Sequence, residues 1–250
     1  MTTAIDLAHI SELYRTHRDD LARVRTHMRT HQHHTPAGTT PRLDDLEAEI
    51  TYLLLRHNTP TTVLQIGTGH GWSTTWILHA LHDNGTGHLH SFDTHDHAPH
   101  HIPHHLTDQW TFTHGDVRTR TDHIPTHTDH LFIDAAHHGL FARWYLHHLL
   151  PDLPPGIPVS IHDVFHQRHA LPFTEGAVVL TWLTTHTTSF FTASAARAPH
   201  HHQALTDLKK ELGLTEPVRT GHRNPTIYFR LPHSATRRTT PTDAPTTRTR

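Results

Sequence analysis

Aspartates follow four short apolar runs in this chain, and each stands where a strand would end. They are Asp93, Asp116, Asp134 and Asp163, and His162 directly precedes the last. A carboxylate at such a position accepts hydrogen bonds from hydroxyl or amino groups, or binds a divalent cation. A single loop aspartate is often only a helix cap, but four in this order favour one shared binding site.

A glycine-rich turn opens the same series. Residues 61–81 read TTVLQIGTGHGWSTTWILHAL, in which an apolar run gives way to Gly67, Gly69 and Gly71 before a helical pattern begins. Glycine adopts φ > 0 and lets a ligand approach the backbone, and the free N–H groups of the next helix point into the same space. The dinucleotide fingerprint would require glycine at the position of Trp72, which argues against a nicotinamide-dependent oxidoreductase.

The two aspartates nearest this turn have specific roles open to them. Asp93 follows the second strand and is placed to accept hydrogen bonds from the two hydroxyls of a ribose. Asp116, after the third strand, is placed to meet an adenine amino group. The pattern therefore predicts a site that fits an adenosine.

Strands and helices must alternate to place these residues together. The apolar periodicity predicts strands over 63–66, 88–92, 110–113, 130–133, 159–161, 189–194 and 226–231. It predicts helices over 4–30 (one or two), from Thr40 or Asp44 to Asn58, and over 73–82, 140–150, 176–185 and 204–212. Such alternation indicates a parallel sheet wrapped by helices, which a final strand can close in the antiparallel direction.

The chain is expected to contain one main domain. Residues 1–42 are predicted to be an N-terminal helical extension and linker, 43–233 the α/β domain, and 234–250 a disordered tail. The linker is the proline- and glycine-containing stretch from His31 to Pro41. The extension is equally consistent with packing against the domain and with a surface for homo-oligomer formation.

Composition excludes several classes of protein. The formal net charge is −2, which is unlike the basic field of nucleic-acid-binding proteins, and no cysteine is present for disulfides. No long apolar run suggests a signal peptide or a membrane span, so we expect a soluble, cytoplasmic protein. The 35 histidines are scattered throughout, which indicates a compositional bias, although the crowded segment 95–105 leaves a histidine-rich metal binder open.

Several motifs in order resemble one family. VLQIGTGHGWST resembles motif I of the class I S-adenosylmethionine-dependent methyltransferases, and HSFD resembles their ribose-binding motif. FIDAAHHGLFARWYLHHLLPDLPPGIPVSIHDV is similar to the small-molecule O-methyltransferase branch that includes macrolide-sugar and catechol-type enzymes. The resemblance covers residues 43–232. It implies a Rossmann-like, seven-stranded, mostly parallel sheet with an antiparallel last strand and helices on both faces.

The resemblance also implies a cofactor site. S-adenosyl-L-methionine would lie over the glycine turn, with its ribose on Asp93 and its adenine beside Asp116 and Val117. The residues that would contact it are Gln65, Gly67, Thr68, Gly69, Gly71, Ser73, Asp93, Asp116 and Val117. Gln65 departs from the acidic residue usual in the family, and a neutral amide cannot attract the cofactor's positive charge by Coulomb force.

Catalytic and metal-binding roles follow by the same resemblance. Asp134 and Asp163 match the carboxylates that hold a divalent ion in the catechol-type enzymes, and His162 stands at another ligand position. Carboxylates suit Mg²⁺, whereas imidazole favours transition metals. His137 matches a general base, although His138 adjoins it. The alternative is purely structural: Asp163 would cap a loop, and His162 would pack in the protein interior.

The leading hypothesis is methyl transfer from S-adenosylmethionine to a hydroxyl of a small-molecule acceptor, assisted by a divalent metal. The alternatives are metal-independent N- or O-methylation, a non-catalytic protein with a methyltransferase fold, and a histidine-rich metal binder.

Overall fold

Helices and strands alternate through most of the chain. The computed structural model describes residues 3–34, 43–165, 169–219 and 225–236. The strands in these ranges are β1 (Thr62–Ile66), β2 (His88–Asp93), β3 (Trp110–His114), β4 (His130–Ile133), β5 (Pro158–Ile161) and β6 (Ile227–Arg230). The α-helices are α1 (Leu7–Thr16), α2 (Arg18–His34), α3 (Asp45–Asn58), α4 (Trp72–Asn84), α5 (Gly139–Trp144), α6 (Glu175–Thr185) and α7 (Pro199–Glu211).

One mixed sheet organises the fold. Its strand order is β3-β2-β1-β4-β5-β6, and every neighbouring pair is parallel except β5 and β6, which are antiparallel. The predicted parallel sheet with an antiparallel last strand is therefore confirmed. Connections from β1 run outward in one direction and those from β4 in the other, so the switch point lies between β1 and β4. Ligands bind at the carboxyl ends of strands at such a point.

The sheet has six strands in the described part of the chain, and the prediction of seven was wrong there. The missing strand was expected over 189–194, where only Phe191 pairs with Tyr228, through two backbone hydrogen bonds of 2.8 and 2.9 Å. The ladder stops because the Thr192 hydroxyl donates to Thr226 O and accepts from Ser194 N. These side-chain bonds take the place of further strand pairing.

Other boundaries also differ from the sequence prediction, and α7, predicted over 204–212, begins at Pro199. The helix expected over 140–150 is α5 followed by a widened turn at Tyr145–Leu149 and a tight turn at Leu150–Asp152, which contains Pro151. The linker expected from His31 begins later, because α2 continues to His34. Residues 35–42 of the linker and 237–250 of the predicted tail lie outside the described residues.

Apolar side chains fill both faces of the sheet. One cluster joins α1, α2, α3, α4 and α7 to the sheet, and the other joins α5 and α6 to its opposite face. The N-terminal helices belong to the first cluster, since Ile10 and Val24 are fully buried and the Tyr14 hydroxyl donates to Glu49 Oε2 at 2.7 Å. Within the described ranges no helix has the length and apolarity needed to cross a membrane.

Candidate active site

The glycine turn joins the ends of three strands. Gly67, Gly69 and Gly71 have φ of +88°, +51° and +89°, which favour glycine over any residue with a Cβ. A Cβ at Gly67 would lie 1.8 Å from the carbonyl oxygen of Asp134, so the end of β1 approaches the end of β4 too closely for a side chain. Gly67 N also donates to Phe92 O at 2.8 Å, which ties the turn to β2.

Asp93 holds the turn in this shape. Its Oδ2 accepts hydrogen bonds from the backbone N of Thr68 at 2.7 Å and of Gly69 at 2.9 Å, and its Oδ1 accepts from His95 N at 3.0 Å. Burial acts to raise the pKa of Asp93, but these hydrogen bonds to the ionised carboxylate outweigh it and lower the pKa. Asp93 is therefore held as a carboxylate beside the turn.

A cavity of about 620 Å³ opens over the turn. This volume lies in the range of small-molecule sites. Most of the predicted site residues line it, namely Gly67, Thr68, Gly69, Ser73, Asp93, Asp116, Val117, Asp134 and His137. Gln65, Gly71, His162 and Asp163 are not among the lining residues. The structure thus brings most of the predicted cofactor residues and the predicted base to one cavity.

Gln65 supports the turn from below. It is fully buried, its Nε2 donates to Gly67 O at 3.1 Å and to Ser73 Oγ at 2.9 Å, and its Oε1 accepts from Thr74 and Ser91. A glutamine supplies both the donors and the acceptor that these neighbours require. The departure from an acidic residue at this position therefore has a structural explanation.

Asp116 is paired with an arginine. Both of its carboxylate oxygens accept hydrogen bonds from the side chain of Arg118, which also lines the cavity and lies over the ring of Phe141. The hydrogen bonds from Arg118 are the main reason that the pKa of Asp116 is lowered. Val117, at the same edge of the cavity, is buried. An adenine role for Asp116 stays a prediction, and Arg118 joins it as a cavity residue that sequence reasoning missed.

His137 stands between carboxylates on both sides of its ring. Its Nδ1 lies 3.0 Å from Glu175 Oε2, and its Nε2 lies 3.5 Å from Asp134 Oδ1 and 3.9 Å from Asp163 Oδ2. Burial alone would lower the pKa of His137, but the hydrogen bond to Glu175 and the nearby charges raise it. His138 has a different task, because its Nδ1 accepts from Phe141 N at 3.2 Å and caps α5.

His162 is buried behind this group. Its Nδ1 lies 3.0 Å from Asp134 Oδ1, and its Nε2 lies 3.6 Å from Glu47 Oε1. Burial acts to lower the pKa of His162, but these two carboxylates outweigh it and raise the pKa well above its usual value. His162 therefore connects Asp134 to α3 instead of facing the cavity.

The donor atoms fit a metal ion in a different combination from the predicted one. In the described part of the chain, Asp134, His137 and His162 offer one atom each within 4.8 Å of one another. Asp163 is not part of this group and has φ of +56° and a half-exposed side chain. Donor atoms about 2.0–2.2 Å from an ion lie roughly 3–3.5 Å apart. Asp134 Oδ1 lies 3.0 Å from His162 Nδ1 and 3.5 Å from His137 Nε2, which is compatible with this spacing. One carboxylate and two imidazoles suit a transition metal better than Mg²⁺.

Glu47 and Glu175 are the carboxylates that sequence reasoning missed. Glu47 accepts from Thr226 N and completes a capping box with Asp44, and only this cap is visible in the sequence. Glu175 is a fully buried acid at the first position of α6, before the apolar run that follows it. An acidic residue at the start of an apolar helix is a weak signal because helix starts commonly carry one.

Comparisons with known proteins agree with this geometry. Residues 64–164 match a family model described as "Methyltransferase domain". A comparison with curated proteins finds no match. A solved O-methyltransferase from Bacillus cereus in complex with SAH is similar, with a TM-score of 0.55, 13% identity, and coverage of 90% of this chain and 100% of that one.

The O-methyltransferase TomG from Streptomyces achromogenes, involved in tomaymycin synthesis and solved with SAM, is also similar. Its TM-score is 0.52 at 12% identity, and the match covers 90% of this chain and 89% of that one. At such identities the likeness concerns the fold, and the match over 64–164 concerns the family. Residues 64–164 of this chain therefore match a methyltransferase domain, and the described fold is shared with solved O-methyltransferases.

Proposed function

We propose that this protein transfers a methyl group from S-adenosylmethionine to a hydroxyl of a small-molecule acceptor. One observation carries the proposal. The glycine turn with Asp93 and the pair Asp134 and His137 line the same cavity. A methyl donor bound on the turn and His137 as proton acceptor would therefore lie in the same cavity. The O-methyltransferase relatives with the same fold support an oxygen acceptor.

The residues divide the chemistry between them. When bound, S-adenosylmethionine supplies a methyl group on a positively charged sulfur, and the acceptor oxygen takes the methyl carbon as the carbon–sulfur electron pair stays on sulfur. His137 Nε2 takes the hydroxyl proton, since its Nδ1 is already engaged with Glu175. Asp134 and Asp163, near Nε2, stabilise the imidazolium that results. The apolar Ile66 and Phe141 line the cavity and exclude water beside it.

A divalent cation is part of the proposal. Asp134 and His162 would hold it, completed by Asp163 as the resemblance implies or by His137 as the grouping of donor atoms suggests. Such an ion lowers the pKa of an acceptor hydroxyl and orients it. His137 Nε2 cannot bind the ion and take the proton at once. The metal-dependent reaction with His137 as base therefore requires Asp163 as the ligand.

A metal-independent reaction is the second candidate. It is favoured by the contacts of His162, whose two ring nitrogens face Asp134 and Glu47 in the described structure. In that case His137 and Glu175 would suffice as the proton-accepting pair. N-methylation differs only in the acceptor, so product analysis separates it.

The first test is calorimetric titration with S-adenosylhomocysteine, followed by labelled methyl transfer to a panel of hydroxyl- and amino-bearing small molecules. We expect binding with one site, and methylation of a hydroxyl that falls about 100-fold or more in His137→Gln. His138→Gln is the matched control and should retain activity, because His138 only caps α5. A chelator separates the metal-dependent reaction, which would stop, from the metal-independent one. Absence of S-adenosylhomocysteine binding would overturn the proposal.

A further inference from the structure

Glu175 is a buried carboxylate with a partner for each oxygen. It is 1% exposed, its Oε2 lies 3.0 Å from His137 Nδ1, and its Oε1 accepts a hydrogen bond from the Tyr145 hydroxyl at 2.8 Å. Tyr145 is itself fully buried. The side chains therefore form a chain from the core through Glu175 to His137, which lines the cavity.

The backbone fixes Glu175 against the same loop. Gly139 N donates to Phe173 O at 3.1 Å, Glu175 N donates to His137 O at 3.4 Å, and His138 pairs with Thr174. A Cβ at Gly139 would lie 2.9 Å from Phe173 O, so glycine permits this close approach. The start of α6 and the loop after β4 thus form one unit, and the distance between Glu175 and His137 does not depend on side-chain rotamers alone.

The start of α6 is also anchored to the end of β5. A Cβ at Gly176 would lie only 1.9 Å from the carbonyl oxygen of Val164, the residue after Asp163. Glycine at this position therefore lets α6 begin directly against the loop that carries Asp163. Glu175 is placed by contacts with both loops that supply the predicted catalytic and metal residues.

We propose that Glu175 is a positioning residue that holds His137 in the tautomer with its proton on Nδ1, and that Tyr145 holds Glu175. An ionised carboxylate only accepts hydrogen bonds, so Nδ1 must be the donor in this pair. In the neutral ring the lone pair then lies on Nε2, on the side of Asp134, Asp163 and the cavity. The inference rests on the proposed function, in which Nε2 takes the proton of the acceptor.

A purely structural role for Glu175 makes a different prediction. If Glu175 only joined α6 to Tyr145, its replacement would lower stability and leave the tautomer of His137 unchanged. If it positions His137, Glu175→Gln alters the tautomer, because an amide can donate to Nδ1 as well as accept from it. Tyr145→Phe keeps the ring in the core and removes only the hydroxyl, which separates packing from hydrogen bonding.

The experiment is nitrogen-15 NMR of histidine-labelled full-length protein at alkaline pH, where the His137 ring is neutral. The signals of His137 are those absent in His137→Gln. We expect the Nδ1–H tautomer in the unaltered protein, a mixture of tautomers in Glu175→Gln and a smaller change in Tyr145→Phe. Glu211→Gln, an exposed glutamate on α7, is the control and should leave the spectrum unchanged.

Kinetics provide the second measurement. With a methyl acceptor found, Glu175→Gln should lower kcat about tenfold or more, with the affinity for S-adenosylhomocysteine unchanged. The Nε2–H tautomer in the unaltered protein, or an unchanged spectrum in Glu175→Gln, would overturn the inference. If S-adenosylhomocysteine does not bind while the Nδ1–H tautomer is found, the proposed function fails and the positioning by Glu175 stands, so the two failures are distinct.

Discussion

Asp93 and Thr68 are joined by two hydrogen bonds to one carboxylate oxygen, from the Thr68 backbone N at 2.7 Å and from its hydroxyl at 3.1 Å. The residue predicted to bind ribose therefore also shapes the turn that would carry the cofactor. Removing its charge weakens both functions together. The hydrogen bonds of an ionised group contribute about 1.5–3 kcal/mol each, more than neutral ones.

The first prediction concerns Asp93→Asn. We expect its affinity for S-adenosylhomocysteine to fall roughly tenfold or more, because an amide cannot replace a carboxylate that accepts several N–H donors. Isothermal calorimetry measures the change, and circular dichroism verifies that the variant is folded. Asp122→Asn is the matched control, since that side chain is 79% exposed. Equal affinities in the two variants would contradict a cofactor role for Asp93.

The second prediction separates two reasons for glycine in the turn. Gly67→Ala should lower the free energy of unfolding by more than about 2 kcal/mol, because its φ is +88° and its new Cβ would collide with Asp134 O. Gly69→Ala should cost only about 1 kcal/mol, since no atom of the described residues lies within 4 Å of its Cβ. Chemical denaturation measures both free energies.

The same pair tests the cofactor site. Although Gly69→Ala leaves the fold nearly intact, its methyl group would stand in the cavity that Gly69 lines. We expect weaker binding of S-adenosylhomocysteine in this folded variant. Unchanged binding would mean that the ligand does not approach the turn at Gly69.

The residues at strand ends were predictable from sequence because local periodicity marks where strands end. Asp93 and Asp134 each close a short apolar run, and the parallel sheet brings both to one edge. The extra strand over 189–194 was predicted wrongly for a related reason. The composition of residues 189–194 favours a strand, but the hydrogen bonds of the Thr192 side chain replace the expected pairing. Those bonds form only because the fold brings Thr226 next to Thr192, which local sequence does not reveal.

The site contacts of Glu175 and Glu47 could not be predicted from local sequence patterns. Glu175 meets His137 across 38 positions of sequence, through a helix start that only the packing of α6 against Val164 places correctly. Glu47 lies in the first turn of α3, where it takes part in the capping box, and its side chain also lies beside His162 after β5. Neither contact has a spacing that a single sequence reveals, because both arise from the packing of separate elements.

The third prediction concerns metal binding. Full-length protein should bind about one equivalent of Mn²⁺, measured by electron paramagnetic resonance, and Asp134→Asn should abolish most of it, because Asp134 Oδ1 lies between the donor nitrogens of His137 and His162. A variant with His95, His97, His100 and His101 replaced by glutamine should keep this equivalent. The rings of His70 and His97 are stacked, with an angle of 4° between their planes. Parallel stacked rings do not point their nitrogens at one shared ion.

The contrary result is equally clear. Binding of several equivalents that disappears in the four-histidine variant and persists in Asp134→Asn would favour the histidine-rich metal binder. It would also remove the metal from the proposed reaction without affecting the assignment of the cofactor cavity.

The fourth prediction concerns stability and pH. Burial lowers the pKa of both His79 and His130 to about 3, so each stays neutral in the folded protein while the unfolded chain takes up a proton near its ordinary value of 6.5. Between these values the unfolded state binds more protons. Each histidine therefore removes about 1.4 kcal/mol of stability per pH unit as pH falls through this window.

The variant His130→Leu isolates this effect, because both ring nitrogens of His130 lack a hydrogen-bond partner among the described residues and leucine needs none. Urea denaturation from neutral pH downward should show that the variant loses stability less steeply than the unaltered protein, by about 1.4 kcal/mol per pH unit. His148→Leu, at an exposed position, should follow the unaltered protein. Parallel curves for all three proteins would mean that His130 is protonated in the folded state, which its complete burial at the start of β4 opposes.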